Sequence, residues 1–366
     1  MESMVKNMKE LDYYRGKKVL VTGHTGFKGS WLSYILLNVG AEVFGFSLKP
    51  STEQALFDII GLEKDMNSYI GDIRDLSLLS KVFMEVKPEI VIHLAAQPIV
   101  RESYKDPVLT YQTNVMGTVN ILECIRNNDS VGSFLNVTTD KVYKNREWEW
   151  AYRENEELCG YDPYSNSKSC SELVTYSYQN SFFKDRKVAI STARAGNVIG
   201  GGDFAINRII PDCFRAACKK ENILVRNPYS VRPYQHVLEP IIAYLIITAR
   251  QRKEHELSGN YNIGPNEMDC VSTEKLVGLF CSSWEKYNGN RLEWKDKSDC
   301  GPHEANFLKL DCSKFKKAFM WKPVWHIDDA VDKTVEWYNI YAGGGNVKQL
   351  MHAQWNMYMR NRGETE

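Results

Sequence analysis

Gly23-His24-Thr25-Gly26-Phe27-Lys28-Gly29 lies between a short apolar run at residues 17–22 and a stretch of helical periodicity at 30–39. A glycine pattern alone is a weak signal, since any strand-to-helix turn can carry one. Its position at the head of an alternating array is what a phosphate-binding fingerprint requires. Gly23 permits the tight turn, Gly26 lets the backbone approach a pyrophosphate, and Gly29 lets the helix pack closely on the sheet. The helix N-terminus then faces the phosphates.

Working outward, apolar runs recur at 42–46, 67–70, 90–94, 134–137 and 188–192, separated by segments that can be helical. Such βαβ patterning predicts an α/β fold, a Rossmann-type doubly wound parallel sheet with right-handed crossovers. Beyond Gly200-Gly201-Gly202 the elements shorten and proline turns multiply. A smaller, interleaved substrate-binding lobe is therefore expected. Residues 1–195, with 233–263 returning, are assigned to the dinucleotide domain; 196–232 and 264–366 form the lobe and C-terminal tail. Gly343-Gly344-Gly345 is expected to detach that tail.

The chain has 366 residues, 43% hydrophobic and 25% charged, with 46 basic residues balancing 46 acidic ones. No overall field favours nucleic acid or an anionic membrane, so any anionic ligand must be held locally. The nine cysteines are scattered without C-x-x-C pairs, which argues for reduced thiols and a cytoplasmic protein. Residues 1–16 lack the apolar core of a secretory signal. The aliphatic run at 241–249 is too short to span a membrane and reads as a buried helix. Seven histidines without ligand spacing predict no metal site.

Many dinucleotide folds place an acid about 20 positions after the glycine loop, yet the second strand here ends Gly45-Phe46-Ser47. Ser47 and Lys49 leave NADP open on local chemistry, although Lys49 reads equally as a solvated lysine. Asp72, after the third strand, can accept a hydrogen bond from an adenine amino group or simply cap a helix.

Tyr164-Ser165-Asn166-Ser167-Lys168 places a phenol and an ammonium on one helical face. A neighbouring positive charge favours phenolate, so Tyr164 is expected to serve as a general base or acid. Such pairs are common by chance; downstream of a glycine-rich strand turn the pairing acquires meaning.

With these motifs the chain resembles the extended short-chain dehydrogenase/reductases that act on nucleotide sugars. The likeness runs from about residue 17 to 337 and includes His93-Leu94-Ala95-Ala96-Gln97, Thr113-Asn114-Val115-Met116-Gly117-Thr118 and Arg194-Ala195-Gly196-Asn197-Val198. Thr138-Thr139-Asp140-Lys141-Val142-Tyr143 resembles the 4,6-dehydratase branch rather than the epimerases. Lys141 stands where most dehydratases have glutamate. That lysine, with Arg232-Pro233-Tyr234-Gln235-His236-Val237 and the run from His303 to Asp311, is similar to members acting on CDP-glucose.

The resemblance implies tightly held NAD, bound by Gly23, Thr25, Gly26, Phe27, Lys28, Gly29, Asp72, Ile73, Leu94, Ala95, Ala96, Thr113 and Thr138 together with Tyr164 and Lys168. It implies Tyr164 as the base at the sugar C4 hydroxyl, Thr139 as its hydrogen-bonding neighbour, and Asp140 as the acid at the C6 oxygen. Lys141 is either the C5 base as a neutral amine or a charged enolate stabiliser. Arg208 and Arg232 are expected to bind the nucleotide diphosphate, because guanidinium contacts phosphate bidentately, with His303 near the phosphates or structural; the resemblance implies that Gln97, Arg101 and Asn197 meet the sugar. Homodimers or homotetramers and a place in deoxysugar biosynthesis follow from the same likeness. A 4-epimerase and a non-catalytic dinucleotide sensor are the alternatives. Trp148 and Trp150 read as a lid or, more simply, as aromatic packing.

Overall fold

The computed structural model describes residues 10–185, 188–297 and 307–364. Seven strands form the central sheet: β1 (Lys18–Thr22), β2 (Glu42–Ser47), β3 (Asn67–Ile70), β4 (Ile90–His93), β5 (Ser133–Thr139), β6 (Ala189–Ala195) and β7 (Asn260–Ile263). Their spatial order is β7-β6-β5-β4-β1-β2-β3, and every pairing is parallel. The Rossmann-type reading of the sequence holds. Because successive strand residues point to opposite faces, Val19 and Val21 enter one core while Leu20 enters the other.

The principal helices are α1 (Phe27–Asn38), α2 (Leu76–Val86), α3 (Gly117–Arg126), α4 (Pro163–Tyr178), α5 (Ile209–Lys219), α6 (Leu238–Gln251), α7 (Thr273–Asn288), α8 (Ile327–Ala342) and α9 (Val347–Glu364). On one face α2 and α3 contribute Leu79, Phe83, Ile121 and Ile125 to a core over Leu20, Val91 and Phe134. The opposite face is covered by α1 and α6. Along α6 every residue but Arg250 is buried, as the aliphatic run at 241–249 predicts. Each such side chain contributes roughly 1.5–3 kcal/mol when fully removed from water.

The strand order reverses between β4 and β1, leaving a crevice at the strands' carboxyl ends. Three short pairings lie outside the sheet: Val198–Ile199 with Gln235–His236, Ile223–Val225 with Trp294–Asp296, and Val231–Arg232 with Val271–Ser272.

Two expectations need correction. The triple glycine does turn the chain between α8 and α9, but the tail is docked rather than detached. Met351, Trp355, Tyr358 and Met359 are buried in the main core, and the Tyr358 hydroxyl donates to Glu239 Oε2 at 2.8 Å. Near its end Arg362 pairs with Glu10 at 3.1 Å, so the first and last described segments meet. The capping role weighed for Asp72 belongs to Asp75, whose carboxylate accepts from Leu78 N at the start of α2. Asp72 instead binds Arg74 at 2.6 Å, and those hydrogen bonds hold its carboxyl below the usual range.

Candidate active site

The loop after β1 has the geometry its glycines imply. Gly23 adopts φ +76, and a side chain there would place Cβ 2.8 Å from Ala95 N. At Gly29 a Cβ would fall 2.1 Å from the Gly23 carbonyl oxygen. Gly26 is exposed and no side chain caps α1. An open glycine beside an uncapped helix terminus is a cradle that a pyrophosphate fits. Thr25 Oγ1 and Ser47 Oγ lie 2.9 Å apart, tying the loop to the end of β2. Lys49 is exposed.

A cavity of about 820 Å³ opens above β5 and β6, where Thr139, Asp140, Lys141, Tyr164, Lys168 and Asn197 meet. Phe27, Lys28, Leu94, Ala96 and Thr138 reach its wall from the loop and strand ends, and Arg101, Arg208 and Arg232 line it as well. Thr113 and Ala95 are half-buried and Ile73 is buried; none of these three borders the cavity, nor does Asp72. Gln97 does not reach it either. Its side chain donates to Thr110 Oγ1 at 2.9 Å and accepts from Ile99 N at 2.6 Å, so both ends of the amide brace the loop. His303 lies outside the described residues; further along that segment Leu308 lines the cavity.

Helix α4 starts where Asp162 accepts from Ser165 N at 3.0 Å, with Pro163 in the first turn. This cap sets Tyr164 facing the cavity and Lys168 one turn below. The expected phenolate is not what the pair produces here. Burial pushes the Tyr164 phenol up to about 12, opposed by a hydrogen bond with Thr139, and the Asp140 charge adds to the rise. Lys168 donates to the Val137 carbonyl at 3.2 Å, and burial pulls its own pKa down to about 8. Spacing along a helix brings the two residues together, whereas desolvation of both decides their protonation. Lys28 is pulled to about 7, first by burial and then by Arg208 and Lys168.

At the end of β5 the chain makes one tight turn, Asp140–Val142. Thr139 Oγ1 donates to Asp140 Oδ1 at 2.9 Å, and Lys141 Nζ reaches the same oxygen at 3.1 Å. Lys141 also donates to Asn197 Oδ1 at 3.3 Å. Asp140 Oδ2 is buried without a hydrogen-bond partner among the described residues. Arg208 is paired with Asp203 at 2.9 Å while facing the cavity.

One feature escapes sequence reasoning. Glu172, a further turn along α4, receives Arg194 Nη2 at 2.9 Å, Arg194 Nε at 3.0 Å, Thr192 Oγ1 at 2.7 Å and the Thr138 hydroxyl. Both members of the Arg194–Glu172 pair are 1% exposed. It clamps α4 to β5 and β6 directly beneath the candidate catalytic residues. The available signal was Glu172 four positions after Lys168, on the same helical face. Trp148 packs on Tyr152 and beneath Arg146, and Trp150, 68% exposed, meets Trp148 edge-on with ring centroids 6.0 Å apart.

Residues 20–334 match the family model described as GDP-mannose 4,6 dehydratase. The chain belongs to this family. Among the relatives of this GDP-mannose 4,6 dehydratase family member is the CDP-glucose 4,6-dehydratase of Salmonella typhimurium strain LT2. The two are 46% identical over 343 residues, covering 92% of this chain and 94% of the relative. The fold also superposes on an epimerase of Methanothermobacter thermautotrophicus, with a TM-score of 0.78 and 21% identity, covering 94% and 97% of the two chains. A dTDP-glucose 4,6-dehydratase of Bacillus anthracis in complex with NAD gives a TM-score of 0.74 and 21% identity, covering 92% and 100%.

Proposed function

We propose that this family member is an NAD-dependent lyase that converts CDP-glucose to CDP-4-keto-6-deoxyglucose and water, in deoxysugar biosynthesis. The observation that carries the reading is the convergence of Tyr164, Thr139, Asp140 and Lys141 on one cavity beside the glycine loop. The 46% identity to a CDP-glucose 4,6-dehydratase supports the choice of nucleotide. NAD, which the glycine loop would hold, would supply a reversible hydride acceptor for the sugar.

Tyr164, hydrogen-bonded to Thr139, accepts the C4 hydroxyl proton as phenolate, the form that the positive charge of a bound nicotinamide would favour against the effect of burial, as the C4 oxygen becomes a carbonyl. That ketone acidifies C5–H. Lys141 takes the C5 proton, the electron pair moves into a C5–C6 double bond, and the C6 oxygen departs with a proton from Asp140 as water. The unpartnered Asp140 Oδ2 is the oxygen available to the C6 hydroxyl. Moving one proton across the 3.1 Å from Lys141 to Asp140 turns the ion pair into the required neutral amine and protonated acid. Lys141 then returns its proton to C5 as hydride reaches C6, leaving the 4-keto-6-deoxy sugar.

Arg208 and Arg232 line the cavity and are suited to the diphosphate, and Arg101 lines it as a sugar contact. Segments 196–232 and 264–366 would supply the lobe that closes over the nucleotide sugar and, from its last part, the docked tail. Exposed Val108, Met116, Leu173 and Tyr176, on and beside α4, form an apolar face suited to a homodimer or a homotetramer. Eight free cysteines among the described residues accord with a reducing, cytoplasmic setting. No described helix is long and apolar enough to cross a membrane.

Purified protein should be incubated with CDP-, dTDP-, GDP- and UDP-linked hexoses and the products followed by mass. Loss of one water from CDP-glucose, with an alkali-absorbing 4-keto product, is the expected result. An unchanged mass with inverted C4 would show an epimerase, and cofactor binding without turnover a sensor.

A further inference from the structure

Asp140 and Lys141 carry opposite charges in adjacent positions and sit 3.1 Å apart at the cavity wall, the aspartate side chain 1% and the lysine 29% exposed. The ion pair is formed, but a single contact leaves the flexible four-carbon stem of the lysine free to swing about it. The amine must stay beside Asp140 and still reach C5–H. The structure shows a second restraint. Asn197 Oδ1 accepts another hydrogen bond from Lys141 Nζ, at 3.3 Å.

Asn197 is itself firmly placed. Its backbone carbonyl accepts from Gln235 N at 3.0 Å, and the next residues, Val198–Ile199, pair with Gln235–His236. Asp140 is anchored on the other side through Oδ1, which already receives Thr139 Oγ1. Lys141 is thus suspended between two fixed acceptors on different segments, β5's end and the strand after β6. From Asn197 alone the sugar gains a neutral amide; from the three residues together it gains a lysine fixed by two acceptors.

We infer that Asn197 is a positioning residue for Lys141, holding the amine in reach of C5 so that elimination, rather than C4 oxidation, depends on it. The inference rests on the dehydratase reading above. A sugar-binding role alone would weaken both halves of the reaction together. Positioning of Lys141 separates them, since Tyr164 and Thr139 make no contact with Asn197 among the hydrogen bonds described.

The test uses the NAD-loaded enzyme with CDP-glucose in rapid mixing, following reduced nicotinamide by absorbance, and C5 hydrogen exchange and water loss by mass. In Asn197→Ala the reduction phase should stay within about threefold of the parent while elimination falls on the order of 10²-fold, the cost of misplacing a reacting group by about 1 Å. Reduced nicotinamide should then accumulate. In a Lys141→Ala background the same Asn197 change should have little further effect, as expected for residues acting through one another. Parallel loss of both phases, a raised KM with unchanged elimination, or additive effects in the double variant would each overturn the inference. Absence of dehydrated product from the unmodified enzyme would instead overturn the dehydratase reading. An Asn197→Ser variant, which keeps a short acceptor, serves if the alanine variant does not fold, with the same expected split.

Discussion

Replacing Glu172 with glutamine should destabilise the protein far more than a change of one atom suggests. Its two oxygens accept four hydrogen bonds, two of them from Arg194. Arg194 is held above its ordinary pKa although burial opposes its charge, because the Glu172 carboxylate outweighs that penalty. Glutamine removes the charge and turns one acceptor into a donor facing other donors. The guanidinium, 1% exposed, is left without an anion, a loss of about 3–5 kcal/mol. At roughly 2 °C per kcal/mol, the low end suited to a chain of this size, the midpoint should fall by about 6–10 °C. Thermal and urea denaturation followed by circular dichroism measure this directly. A Glu172→Leu, Arg194→Met double variant should recover at least half of the loss, because it removes both charges together. A single variant within about 1 kcal/mol of the parent, or a double variant less stable than the single one, would refute the reasoning.

Tyr164→Phe should lower C4 oxidation by about 10²–10⁴-fold while calorimetric binding of CDP-glucose is retained; a rate near that of the parent would remove Tyr164 from the chemistry. Gly29→Ala should abolish stable NAD binding, because its Cβ would sit 2.1 Å from the Gly23 carbonyl oxygen; parental affinity in equilibrium dialysis is the contrary outcome. Burial raises Glu239 from 4.5 to about 7, so the folded protein keeps a proton that the unfolded chain releases. That contribution is complete below pH 4.5 and is lost as pH rises through about 7. Glu239→Gln should therefore flatten the fall in midpoint temperature across this window, and identical pH profiles for parent and variant would contradict it.

Six of the seven sheet strands were legible as short runs bounded by glycine or polar turns, each expected start lying within one residue of the observed bound, whereas β7, reading Asn-Tyr-Asn-Ile, was not anticipated as a strand. The glycine loop was legible for the same reason, its context being local. What depends on packing was not. Tyr164 and Lys168 announce themselves by spacing, but their protonation follows from the dryness of a cavity assembled by β5, β6 and the chain beyond residue 196. Gln97 belongs to a motif that borders the site, yet Thr110 and the Ile99 amide claim its side chain. The tail was misread because three glycines suggest a flexible break. The countersignal lay in Met351, Trp355, Tyr358 and Met359, which recur at helical spacing and fill one stripe.

That docked tail orders events during synthesis. Tyr14 near the beginning and Met351 near the end belong to one core, and Arg362 closes onto Glu10. All the residues assigned to chemistry have left the ribosome long before the segment that completes their support. An interrupted chain would carry the whole reactive constellation with Glu239 deprived of Tyr358 and that side of the core uncovered. That side of the core is therefore covered only once α9 has been made.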